Sequence, residues 1–204
     1  MRLYFVLIIA VLACGCVNAP DIEPVLGNLS QVNYDPYPYS PPHNFINSTP
    51  LLFEVPVAKS PMPYYIFNDT ELNAYKYNLT IVNIEKAFDA WENATRGKVV
   101  FYRAMEKPEH GIKIHLVGDL PNNTVGEASA LFFPRSNYTL IVGGNMEIET
   151  LYGGSENRVL IMHEIGHVMG FGHTEDSHSI MYPWNAYSQV ITKEILDTLD
   201  GIYR

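Results

Sequence analysis

Three histidines and a glutamate near the C-terminus fall within one short string, His163-Glu164-Ile165-Gly166-His167-Val168-Met169-Gly170-Phe171-Gly172-His173. His163 and His167 are four residues apart, so on a helix turning about 100° per residue they leave the same face one turn apart, and both imidazoles can hold one ion. A helix continued to His173 would carry that residue roughly 240° round the axis from His167, away from the ion. The helix therefore has to stop. Gly170 can stop it, because a residue without Cβ enters the left-handed conformation at little cost and turns the chain back. Three neutral nitrogen ligands leave one position of a four-coordinate zinc open for water, as in catalytic sites; structural zinc usually has four protein ligands. Glu164, beside the first ligand, is the candidate general base, taking a proton from the attacking water and handing it to the departing amine. Five fixed residues at this spacing arise by chance in on the order of 10⁻⁵ of chains of this size, which favours a site over a helix surface.

A methionine shortly after the third histidine is the second half of such a pattern, and Met181 supplies it within Ser179-Ile180-Met181-Tyr182-Pro183-Trp184. On these residues the chain resembles the metzincin zinc endopeptidases, and Thr174 with Ser179-Ile180-Met181-Tyr182-Pro183 is most similar to the matrixin branch. The resemblance implies that Met181 forms a turn beneath the three ligands without binding zinc. It also implies that the segment after that turn walls the substrate pocket, here Pro183, Trp184 and Tyr187, which suggests an apolar or aromatic preference. The strand before the zinc helix would pair with extended substrate, and Ser129 to Phe133 is the expected stretch.

The elements that must position these groups are legible in outline. The expected class is α+β and metzincin-like: a twisted mixed sheet, a long helix, a zinc-binding helix, and a small C-terminal subdomain with the Met-turn and a final helix. Tyr64 to Phe67 is aromatic and β-branched and reads as a first strand. Ile81, Ile84, Ala87, Phe88 and Trp91 recur at helical spacing, which predicts an amphipathic helix over about Val82 to Ala94. Val99 to Tyr102, Ile112 to Val117, Ala128 to Phe133 and Tyr138 to Val142 read as further strands. The zinc helix is expected to begin near Ser155, and Thr192 can cap a last helix bearing Ile195, Leu196, Leu199 and Ile202.

Departures from the matrixin pattern narrow the cofactors. Matrixins hold a second, structural zinc on histidines between their middle strands, and residues 118–154 contain none, so one catalytic Zn²⁺ is expected. A calcium site has no support in the residues. His110 and His115 precede that stretch, and alternation puts His115 on the face opposite Ile114 and Leu116. His43 and His178 have no partners at ligand spacing. Pro183 stands where astacin-like enzymes carry a zinc-facing tyrosine, and the matrixin cysteine switch is missing because no cysteine follows Cys16.

The remaining chain divides into residues 1–16, a signal or lipobox segment, and residues 17–62, rich in Pro, Tyr and Asn, ahead of a peptidase-like domain over residues 63–204. The apolar run from Leu3 to Ala13 is too short to span a bilayer but suits the apolar region of a secretory signal. Val11-Leu12-Ala13-Cys14 resembles a lipobox, with Cys14 the lipidation candidate and Cys16 a second frame; plain secretion is the alternative. The Pro-rich segment favours extended, stalk-like conformations, or serves as a pro-segment. The acceptor pattern N-x-[ST] occurs at Asn28, Asn47, Asn68, Asn78, Asn93, Asn122 and Asn137. About two such triplets are expected from composition, so seven suggest N-glycosylation of an exported protein. A net charge of -9 suits nucleic acid poorly.

The expected partners are therefore a protein or peptide substrate, no nucleic acid, and a membrane only through an N-terminal anchor. Three functions share this pattern: a zinc endopeptidase, a surface-anchored binding module that keeps the fold without catalysis, and a zinc amidase acting on a non-protein peptide. The intact Glu164 favours catalysis.

Overall fold

In the computed structural model, which describes residues 14–17, 61–69, 71–121, 124–134, 139–151, 157–184 and 189–202, six strands form one mixed sheet in the order β1-β5-β6-β4-β2-β3. In chain order these are β1 (Cys14–Val17), β2 (Met62–Asn68), β3 (Phe101–Arg103), β4 (Gly111–Val117), β5 (Thr124–Pro134) and β6 (Thr139–Glu149). Among the described residues three helices accompany the sheet: α1 (Ala74–Ala94), α2 (Arg158–Val168) and α3 (Lys193–Ile202). β2 runs parallel to β3 and β4, and β4 parallel to β6, whereas β5 returns antiparallel to β6. The result is an α+β arrangement, as expected, with a twisted mixed sheet, a long helix and the helix that carries His163 and His167.

Alternation explains the sheet's two faces. Ile112, Ile114 and Leu116 are fully buried, while Lys113, His115 and Val117 between them are partly exposed. His115 thus points out of the core, where its ring stacks on Phe67 and its Nδ1 meets Asp69 at 2.5 Å. Against the inner face packs the apolar stripe of α1, with Ile84, Ala87, Phe88 and Trp91 at 2% exposure or less. Tyr64 stacks on Phe88 with ring centroids 4.1 Å apart, tying the first strand to the long helix. These four α1 side chains, with the strand isoleucines, form one core that continues into α2 and the Met-turn.

Several boundaries differ from the sequence-based expectation, each for a local reason. α1 begins at Ala74 rather than Val82, because Asn73 caps it by accepting from the Lys76 N–H at 2.9 Å. Its first turns carry Tyr75, Lys76 and Asn78, which face away from the core and show no apolar period. α2 begins after Asn157 rather than Ser155, with the Asn157 Oδ1 accepting from Val159 N–H at 3.0 Å and Leu160 N–H at 3.3 Å. β6 extends past Val142 to Glu149 through Gly143, Gly144 and Asn145, residues of poor strand propensity that the ladder with β4 overrides. Cys14–Val17 straddle the boundary drawn at residue 16 and pair antiparallel with Thr124–Ala128. The reason is the outer edge of β5, whose unpaired backbone groups accept another strand.

The parallel strands begin in a tight row. A Cβ on Gly143, which has φ +150°, would lie 2.0 Å from the Gly111 carbonyl oxygen, and one on Gly111 would lie 2.4 Å from that of Pro63. Side chains here would push β2, β4 and β6 apart. Gly143→Ala is expected to destabilise the domain by about 3 kcal/mol, read as a lower urea midpoint at unchanged slope.

Candidate metal centre

Helix α2 carries the first two histidines and ends where the third requires. The Gly170 N–H donates to the His167 carbonyl at 3.0 Å and the Phe171 N–H to the Gly166 carbonyl at 3.0 Å, with Gly170 at φ +94°. This pair of bonds is a Schellman turn, which closes a helix through one left-handed residue. Phe171 then buries completely against Trp91, and the chain doubles back. His173 Nε2 arrives 3.2 Å from both His163 Nε2 and His167 Nε2. Among the described residues, these three form the group whose ligand atoms lie within 4.8 Å of one another.

Backbone carbonyls orient two of the rings. His163 Nδ1 donates to the Ile180 carbonyl at 2.6 Å, and His167 Nδ1 donates to the Phe171 carbonyl at 2.8 Å. A carbonyl only accepts, so both protons sit on Nδ1 and both Nε2 atoms present lone pairs. Burial reinforces this: desolvation first, then the neighbouring imidazoles, holds His163 well below the usual histidine range. Desolvation likewise lowers His167 to about 4, and desolvation with the nearby His167 lowers His173 to about 3. Neutral imidazoles whose Nε2 atoms converge at 3.2 Å suit a cation between them. The residues present therefore fit a zinc ion held by His163, His167 and His173.

Glu164 is fully buried one residue from the first ligand. Its position is set by β5: a Cβ on Gly126 would lie 2.6 Å from Glu164 Oε1, so the carboxylate rests in space that only glycine leaves open. The part of β5 beside the carboxylate is thus around Gly126, upstream of the Ser129 to Phe133 stretch expected to receive substrate. Met181 is buried beneath the helix, its Sδ 2.3 Å from where a Cβ on Gly166 would sit. Thr174, also fully buried, donates its N–H to the Met181 carbonyl at 3.1 Å and closes the loop between ligand and Met-turn. Trp91 Nε1 donates to the Met162 carbonyl at 2.9 Å, tying α1 to the zinc helix.

The other predicted residues are scattered. Pro183 and Trp184 follow the Met-turn and are partly exposed, with the Trp184 carbonyl accepting from Gln189 Nε2 at 2.6 Å. Tyr187 lies outside the described residues, as do Asn28, Asn47, Asn122 and Asn137. Asn68, Asn78 and Asn93 are exposed, and Cys14 heads β1. Sequence reasoning missed Gly126 and Trp91 as supports of the site. The signal for Gly126 is a glycine inside a strand, which marks close approach of another group; a buried indole gives no such sign.

Residues 144–201 match the model of the matrixin family of peptidases. Over that stretch the chain is similar to the matrixins. The match begins in β6 and runs through the zinc helix, Met-turn and α3. Among solved structures, metalloproteinase-II from Bacteroides fragilis aligns at 14% identity and a TM-score of 0.43, over 78% of this chain. The chain spans 59% of the length of that protein. No curated protein matches by sequence.

The site's titration gives a signed expectation. An unfolded chain protonates its histidines below about 6.5, whereas His167 and His173 in the fold resist protonation down to about 4 and 3. Between those values the unfolded state binds more protons, so stability is full above the unfolded pKa and falls as pH drops through this window. Metal-free protein is expected to melt at progressively lower temperature from pH 7 to pH 4, and His173→Gln to flatten part of that slope in scanning calorimetry.

Proposed function

We propose that this protein is a zinc-dependent endopeptidase. The observation that carries the reading is Glu164, fully buried one residue from the first of three convergent imidazoles and packed on β5, the strand whose outer edge takes an extended chain. Cys14–Val17 lie on that edge antiparallel to β5, with Cys16 opposite Gly126. Backbone pairing along a strand edge suits an extended peptide better than a non-peptide ligand.

When bound by the three histidines, zinc supplies Lewis acidity that acidifies water and polarises a carbonyl. The chain's own groups do the rest. β5 aligns the substrate backbone, and Glu164, buried and held by Gly126, takes the proton from water and returns it to the departing nitrogen. The carbonyls of Ile180 and Phe171 keep His163 and His167 in the tautomer that offers Nε2. Pro183 and Trp184, after the Met-turn, contribute an apolar wall and favour apolar side chains in the substrate.

The binding-module reading keeps the metal without the chemistry, and the carboxylate separates the two. With wild type and Glu164→Ala starting at Ser60, both are expected to bind one zinc per chain. The substitution should lower kcat/KM on a quenched peptide library by about 10²–10⁴-fold. Equal, negligible cleavage by two zinc-loaded proteins would favour the binding module. Gly126→Ala should likewise retain zinc but lower kcat at least tenfold by displacing the carboxylate, with little change in KM.

Export follows from the N-terminus. The run from Leu3 to Ala13 acts as a secretory signal, and Cys14 or Cys16 as the anchor, placing the domain outside the cell or on the outer face of its membrane. Among the described residues no helix is long and apolar enough to cross a membrane. The N-terminal peptide of the natural product decides this: a lipid-modified cysteine supports the anchor, and an intact Met1 refutes export.

A further inference from the structure

Six of the ten threonines in the chain stand two places after an asparagine, each completing an N-x-T triplet. In one of these triplets, Asn78-Leu79-Thr80, the fold itself does not account for the threonine. Thr80 lies on the inner face of α1, fully buried beside Ile81 and Ile84, and its Oγ1 has no hydrogen-bond partner. A buried hydroxyl without a partner destabilises a fold relative to an apolar group of the same shape. Valine has that shape and nearly the same helix propensity, so packing alone selects valine here. The contrast is Thr95, whose hydroxyl donates to the Trp91 carbonyl at 2.8 Å and thereby helps to close α1. Thr95 has work in the fold, and Thr80 has none.

Asn78 itself is exposed. It lies two residues, or roughly 200°, before Thr80, on the side of the helix away from the buried stripe of Ile81, Ile84, Phe88 and Trp91. A bulky group on its amide projects into solvent and leaves the core untouched.

We propose that Asn78 is an N-glycosylation site and that the Thr80 hydroxyl is kept for the transfer, which takes place before α1 packs on the sheet. The donor class is an oligosaccharide on a polyprenyl phosphate. The bond from its anomeric carbon to the phosphate oxygen breaks, the phosphate leaves with the electron pair, a bond forms from that carbon to Asn78 Nδ2, and the amide proton passes to a base of the transferase. The transferase reads the acceptor triplet through the hydroxyl two residues on. Because Thr80 is out of reach once the core has formed, the sugar arrives on the unfolded, translocating chain. The inference rests on the export reading above.

The test is peptide mass spectrometry of the full chain recovered from its source cells, for wild type, Thr80→Val and Thr80→Ser, with a melting curve of each. Wild type and Thr80→Ser should carry a sugar mass on the Asn78 peptide. Thr80→Val should lose it and, compared as unglycosylated protein, melt at the same or a higher temperature than wild type. A bare Asn78 on an exported chain with its N-terminal segment removed overturns the glycan and leaves export standing. An intracellular chain beginning at Met1 overturns both. A glycan that survives Thr80→Val, or a lower melting temperature for unglycosylated Thr80→Val, shows that the hydroxyl has another role and also overturns the proposal.

Discussion

The centre depends on one constraint: three imidazole nitrogens must meet in a buried place although helix geometry brings only two of them together. His163 and His167 are paired by the period of α2, but His173 reaches them only because the helix ends at Gly170 and reverses. Each reversal of the chain then has a second use. The turn that brings back His173 also presents the Phe171 carbonyl to His167, and the Met-turn presents the Ile180 carbonyl to His163. The peptide groups that bend the backbone are the ones that fix the tautomers. Loosening either turn would misplace a ligand and free a ring at once.

This arrangement is costly without a cation. The Nε2 lone pairs of His163 and His167 converge in a buried place, and desolvation opposes their relief by protonation, as the depressed His167 value indicates. The surrounding core has to hold them regardless. It does so through Trp91, which joins α1 to the Met162 carbonyl, and through Met181, which fills the space under Gly166. The long helix is therefore more than a cover for the sheet, because its indole fixes the height of the zinc helix above the sheet.

How much of this was legible in sequence depends on whether local chemistry or distant packing decided the outcome. The zinc helix, its stop at Gly170 and the burial of Ile84, Phe88 and Trp91 follow from spacing alone, and the structure places them accordingly. The apolar period located the middle of α1 but not its start, since its first turns face solvent and only Asn73 marks the cap. β6 was read too short because Gly143, Gly144 and Asn145 weaken the strand signal, and only the ladder with β4 shows that they continue it. The contact between β5 and Glu164 is illegible for a related reason. Proximity between Gly126 and Glu164 joins residues 38 positions apart, and no window of sequence contains both.

Two glycines bracket α2 in a way that links stability to chemistry. Gly166 faces Met181 and Gly126 faces Glu164, and each leaves room for one side chain that would otherwise have to move. A glycine inside a helix costs about 1 kcal/mol relative to alanine, yet at 166 the alanine methyl would sit 2.3 Å from the Met181 sulfur. The local loss is accepted because it lets the Met-turn press against the helix directly between the two ligands. On the other side, Gly126 weakens β5 to bring the strand backbone against the carboxylate. β5, the Glu164 carboxylate, helix α2 and the Met-turn are thus stacked with a glycine at each of two close contacts. A larger residue at either glycine would push these layers apart.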